Sequence, residues 1–110
     1  GFDGMGLGDE AERLTTTLGS NPILLMGNHG VMAVGETIAK AFDNLYYFER
    51  ACETYLTALA SGIPLRRVSH TVAEKTARQW EDYIHRVGLG EAFLKEIRVI
   101  LDREEPDYRL

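Results

Sequence analysis

Three histidines, one cysteine and seventeen carboxylates are among the side chains in this sequence able to ligate a metal or move a proton. The sharpest setting belongs to His29, in the run Gly27-Asn28-His29-Gly30 between two apolar stretches. Glycines flanking the Asn-His pair lack the Cβ atoms that would keep another group away from the backbone. Neutral imidazole is the commonest protein ligand for zinc, so His29 is a candidate metal ligand. The same four residues also read as a plain hairpin turn carrying an incidental imidazole. A catalytic zinc takes about three protein ligands, and no H-x-H or H-E-x-x-H accompanies His29.

The other candidates are plainer. His70 precedes Thr71, a candidate helix cap, and His85 falls in a last helical turn, where positive charge suits the dipole. Cys52 lies on an apolar helical stripe and reads as core; alone, it makes no internal disulfide, and no CxxC pair exists. Glu49 follows Leu45 by four residues and precedes Cys52 by three, on or beside that stripe. A carboxylate there is expected to pair with an arginine, meet another subunit or stand near a site. Tyr46, Tyr47 and Tyr55 widen the same face and read as packing. Gly4-Met5-Gly6-Leu7-Gly8 lacks the GxGxxG spacing of a phosphate cradle. The tail Asp102 to Arg109 reads as a solvated charged end, with Tyr108 and Arg109 able to dock on a neighbouring subunit.

The elements that must position these residues follow from periodicity. Asp9 is expected to cap a helix over Glu10 to Leu18, stopped by Gly19-Ser20-Asn21-Pro22. Pro22 to Met26 reads as a strand buried on both faces, and Val31 to Val34 as its hairpin partner. Thr37 is placed to cap the longest helix, which runs to about Ser61 and ends at Gly62. Its stripe is Ile38, Ala41, Phe42, Leu45, Phe48, Cys52, Tyr55, Leu56 and Leu59. Thr71 and Glu74 fit a capping box for the next helix, striped by Val72, Ala73, Thr76, Ala77, Trp80, Tyr83, Ile84 and Val87. Gly88 ends it, and a last helix with Phe93, Leu94, Ile97, Ile100 and Leu101 is closed by Pro106. A lone two-stranded hairpin is marginal, so its strands predict a larger mixed sheet.

Composition bounds the class. The chain has 110 residues, 45% hydrophobic and 26% charged, enough for one globular domain. A net charge of −5 lacks the basic footprint of a nucleic-acid binder. No apolar run approaches the roughly 18 residues of a membrane-spanning helix, and no leader pattern is visible, so a cytoplasmic location is expected.

Ile23 to Thr37 (strand, NHG turn, strand, Gly-Glu-Thr helix start), followed by Ala41-Phe42 and Tyr47-Phe48-Glu49-Arg50-Ala51-Cys52, resembles the class II aldolase/adducin family. The closing Asp-Arg-Glu-Glu-Pro-Asp-Tyr-Arg resembles the tails of its bacterial adducin-like members. The resemblance implies an α/β chain, part of a three-layer α/β/α fold with a mostly antiparallel sheet. It also implies homotetramers with sites between subunits, and a divalent metal, commonly zinc, held by three histidines. The histidine of the NHG turn is the last of these, which carries over to His29. Such a metal would polarise a carbonyl during retro-aldol cleavage of a small hydroxy-carbonyl or sugar-phosphate substrate. Asn28, Glu49 and Tyr108 are the residues expected to support that site or an interface. The family's other two metal histidines and its catalytic acid lie upstream of the matched region. Residues 1–110, which begin at Gly1 rather than Met, are therefore expected to be the C-terminal half of such a domain, inactive alone. A non-catalytic adducin-like oligomerisation or interaction domain is the other reading, decided by whether an H-x-H pair lies upstream. A self-contained α/β domain with no site is a third.

Overall fold

The computed structural model describes residues 8–109. Most of the glycine-rich opening, up to Leu7, and Leu110 lie outside them. Among the described residues the order is α1 (Asp9–Leu18), β1 (Ile23–Met26), β2 (Gly30–Ala33), α2 (Ile38–Ala60), α3 (His70–Val87), α4 (Leu89–Glu104) and a 3-10 turn (Pro106–Arg109). The chain thus combines helices with one antiparallel strand pair, as expected of an α/β sequence. It divides between Phe48 and Glu49 into two compact units.

In the first unit α1 begins one residue earlier than expected. Gly8, with φ +67°, holds the cap position, and no side chain caps the helix. Asp9 is therefore the first helical residue rather than the cap. Asp9, Glu10 and Glu12 still occupy the first turn, where the positive end of the helix dipole favours carboxylates. Gly19 stops the helix at φ +54°, its N–H bonded to the Thr15 carbonyl at 3.0 Å.

α1 packs against β1. The strands pair in antiparallel register, Ile23 with Ala33, Leu24 with Met32, Leu25 with Val31 and Met26 with Gly30. The Val34 N–H donates to the Pro22 carbonyl at 2.9 Å and extends the pairing by one step. Pro22 itself stays outside the strand. The expectation of burial on both faces is corrected here. Leu24 is buried but Leu25 is 71% exposed, because adjacent strand residues point to opposite faces and only one face is covered.

Thr37 caps α2 as expected, its Oγ1 accepting the Lys40 N–H at 3.1 Å. The helix ends at Ala60, and Gly62, at φ +70°, closes the turn that follows by donating its N–H to the Leu59 carbonyl. The stripe expected on α2 is half-buried from Ala41 to Phe48 and again at Cys52, but exposed at Tyr55, Leu56 and Leu59. Its most buried residues, Ala39 and Asp43, lie to one side of that stripe.

In the second unit the expected cap at Thr71 is also corrected. Ser69, in extended geometry, caps α3 by accepting the Val72 N–H on Oγ at 3.3 Å. Two hydroxyl residues stand two positions apart, and the earlier one captures the end because Ser69 itself has the extended backbone that a cap position takes. Glu74 is then free of any capping-box duty and pairs with Arg78 at 3.1 Å, one turn on. Gly88, in left-handed geometry, ends α3 and starts α4 with no intervening loop. α3 meets α4, yet Ile84 is its single buried residue; Val72, Trp80, Tyr83 and Val87 are about half exposed.

Candidate functional site

The candidate site is the tip of the β1–β2 hairpin. Met26 and Gly30 are the last paired residues, leaving Gly27, Asn28 and His29 as the loop. The His29 N–H donates to the Met26 carbonyl at 3.2 Å, closing a turn from Met26 to His29. Asn28 sits at its third position with φ +62°. A type II turn needs positive φ there, and asparagine tolerates it better than any residue except glycine. The sequence Gly-Asn-His therefore folds this way locally, and the turn sets the imidazole beside the first residue of β2. His29 and its neighbours Gly27, Asn28 and Gly30 are all exposed, so the imidazole is accessible from solvent.

Behind the tip, the hairpin is tied to α2 by contacts that local sequence patterns hardly signal. Asn44, six residues after the start of α2, donates from Nδ2 to the Val34 carbonyl at 2.8 Å. Gly35 lies directly under the first turn of α2. A Cβ at that position would stand 2.5 Å from the Ala41 nitrogen and 2.9 Å from the Lys40 carbonyl carbon. Together with the Thr37 cap, these contacts make the strand exit and the helix start one packed corner. Only the glycine left a trace in the sequence, as a break between an apolar run and a cap; Asn44 looks like any helix-surface residue. Asp43 is 3% exposed and pairs with Lys40 at 3.7 Å, and Glu10 of α1 is equally buried.

The remaining candidates are spread along the chain. Glu49 is exposed on α2, and the adjacent Arg50 pairs with Glu53 at 2.8 Å instead. His70 and His85 stand exposed at opposite ends of α3. Tyr108 is engaged within its own chain. Its hydroxyl donates to Asp102 Oδ1 at 2.8 Å and accepts from Arg109 Nε at 3.2 Å. Arg109 Nη2 reaches Asp102 Oδ1 at 2.6 Å and Oδ2 at 2.7 Å. The hydrogen bond to Tyr108, then the attraction of Asp102, raise the Arg109 pKa above its ordinary value. The charged tail is thus folded back onto the end of α4, a connection that the six- and seven-residue spacings from Asp102 do not announce.

Among the described residues no three histidine, cysteine, aspartate or glutamate side chains converge as a metal site. At the hairpin tip His29 therefore stands as one imidazole, with His70 and His85 elsewhere on the chain, against the about three converging protein donors that a catalytic zinc takes. By itself it does not make a metal centre.

The comparisons fit this hairpin. A family model described as the class II aldolase and adducin N-terminal domain matches residues 2–56, which include α1, both strands and most of α2. A Caulobacter vibrioides protein that carries the name "Putative aldolase class 2 protein" is 28% identical over 97% of the chain, which covers 42% of that relative. Human beta-adducin is 34% identical over 64% of the chain and 11% of its own length. The Drosophila melanogaster protein hu-li tai shao is 44% identical over 53% of the chain and 5% of its own length. The chain thus spans less than half the length of each of these relatives. No solved structure matches it. On the family match, and on a hairpin, turn and helix start that follow the family's order, the chain belongs to the class II aldolase/adducin family.

Proposed function

We propose that this chain is part of a class II aldolase-like lyase domain, in which His29 is one of the imidazole ligands of a divalent metal. The observation that carries the reading is the hairpin tip. It presents an accessible imidazole on a turn fixed by the Asn28 conformation, in a chain of this family. The donor is a borderline-soft nitrogen, which suits zinc. When bound, the metal supplies Lewis-acid polarisation of a substrate carbonyl oxygen. The chain's own contribution is to hold the His29 imidazole at a fixed point, with Asn28, Gly35 and Asn44 keeping turn and strand exit in place. The other metal donors and the proton-transfer groups lie outside the described residues. The substrate class is a small hydroxy-carbonyl compound or sugar phosphate, cleaved by retro-aldol reaction. The family resemblance also supports a three-layer α/β/α domain, homotetrameric self-association and a cytoplasmic location as parts of this proposal.

Elemental analysis of the full-length protein tests it. About one zinc per subunit is expected, with His29→Ala losing most of it. A metal-free protein, or metal content unchanged by His29→Ala, overturns the proposal. The second reading, a non-catalytic adducin-like interaction domain, is favoured by the matches to beta-adducin and hu-li tai shao. A metal-free full-length protein that still self-associates is the outcome it expects.

A further inference from the structure

The segment that joins α2 to α3 carries chemistry that a metal at His29 does not use. Residues 63–69 form no regular element, and each of them is exposed. Within this segment Arg66-Arg67-Val68-Ser69 sets two guanidinium groups three and two residues before a serine hydroxyl. No other serine or threonine of the sequence has a basic residue at both of those positions. Ser69 itself has extended backbone, with φ −65° and ψ 153°.

We infer that Ser69 is a phosphorylation site for a basophilic protein kinase, one whose substrate groove presents carboxylates to Arg66 and Arg67. Kinases choose substrates by charge pattern, and a guanidinium fork matches a carboxylate in shape as well as charge. In the transfer the Ser69 Oγ attacks the γ-phosphorus of magnesium-bound ATP. The Oγ–P bond forms as the bond from that phosphorus to the β,γ-bridging oxygen breaks. ADP leaves, and the hydroxyl proton passes to the catalytic aspartate of the kinase. Neither Arg66 nor Arg67 has an ion-pair partner among the described residues. Covering the segment in the longer protein would therefore desolvate two adjacent unpaired charges, which is strongly unfavourable. This stretch is a poor surface for the rest of the domain to bury.

The cap geometry sets the consequence. Ser69 Oγ holds the start of α3 through the Val72 N–H at 3.3 Å, and the first turn of α3 has no acidic residue. The positive end of the helix dipole is thus uncompensated, and a single neutral bond lets that turn open to the kinase. A phosphoryl group on Oγ brings about two negative charges and three acceptor oxygens to the same end. Those oxygens accept from the free N–H groups of the first turn, with Arg66 and Arg67 as further donors. Phosphorylation then tightens the start of α3.

Folded full-length protein, incubated with magnesium ATP and the catalytic subunit of the cyclic-AMP-dependent kinase, tests the inference. Mass spectrometry is expected to find the phosphoryl group on Ser69. Ser69→Asn keeps a capping side chain but has no hydroxyl, and is expected to abolish labelling at this position without unfolding α3. Arg66→Gln/Arg67→Gln is expected to slow labelling by about tenfold or more. Hydrogen exchange of the phosphorylated protein is expected to show slower exchange at Thr71 and Val72 than in the unmodified protein. Labelling of heat-unfolded protein alone would mean that the rest of the domain covers the segment, and overturns the proposal. Labelling elsewhere in place of Ser69, or a rate indifferent to the arginine exchanges, overturns it as well. Exchange at Thr71 and Val72 that is unchanged or faster overturns the tightening of α3.

Discussion

Replacing Gly35 with alanine would bring a methyl group against the backbone where β2 meets α2. The new Cβ would stand 2.5 Å from the Ala41 nitrogen, 2.9 Å from the Lys40 carbonyl carbon and 3.0 Å from Lys40 Cβ. Comfortable contacts begin near 3.5 Å, so the first turn of α2 must retreat by roughly 1 Å. The obstruction is mainly backbone, and the Ala41 N–H is itself bonded to the Thr37 carbonyl at 3.0 Å, so no side-chain rotation relieves it. Overpacking of this kind costs about 1–3 kcal/mol. The rigid backbone points to the upper end, less the roughly 0.4–1 kcal/mol that alanine returns by restricting the unfolded chain. The net expectation is a loss of about 2 kcal/mol, or roughly 8 °C in melting temperature for a chain of this size. Gly30→Ala is the matched control, because its Cβ meets nothing within 4 Å and Gly30 has no positive φ. Thermal melts of both variants should show Gly35→Ala strongly destabilised and Gly30→Ala within about 0.5 kcal/mol of wild type. Equal shifts in the two variants, or a Gly35→Ala shift below about 2 °C, would refute the packed corner.

Three further expectations follow from other sites. At the turn, Asn28→Gly should melt within about 0.5 kcal/mol of wild type, whereas Asn28→Val should lose about 1–2 kcal/mol, since a β-branched residue resists φ +62°. At the start of α3, Ser69→Ala should cost about 1 kcal/mol and Thr71→Ala much less in denaturant titrations; the reverse order would return the cap to Thr71. At the tail, Asp102→Ala should speed amide exchange at Tyr108 and Arg109, because it removes the carboxylate that accepts from both side chains. For pH, Arg109 has a raised pKa in the fold. Its contribution is complete at any pH below the ordinary arginine range and fades only above it, so tail protection should not change between pH 6 and 9 on its account.

Much of the chain was legible from local signals. The order of helices and strands came from the change between a period of two and a period of 3.6, punctuated at Gly19, Pro22, Gly62, Gly88 and Pro106. The NHG turn was legible because Asn28 tolerates the left-handed backbone that its place in the turn demands. The caps were less so. Thr37 caps α2 as its type and position predict, but Gly8 takes the place expected of Asp9 and Ser69 that expected of Thr71. A capping preference belongs to a residue type, while the position actually used depends on where the incoming backbone turns extended or left-handed.

By itself the sequence determined what lies within one or two turns of any residue: the periodicity of each segment, the turn that carries His29, the charge balance and the family pattern running through Gly27 to Thr37. Tertiary structure alone decided how distant parts of the chain meet. It brought Gly35 under Lys40 and Ala41, joined Asn44 to Val34, folded Tyr108 and Arg109 back onto Asp102, and left the α3 stripe facing outward. The physical reason is range. Hydrogen-bond preferences and side-chain sterics act over the few neighbouring residues that share a turn, and periodicity shows that a face is apolar. Which surface covers that face depends on the path of the whole backbone, and no local pattern encodes that path.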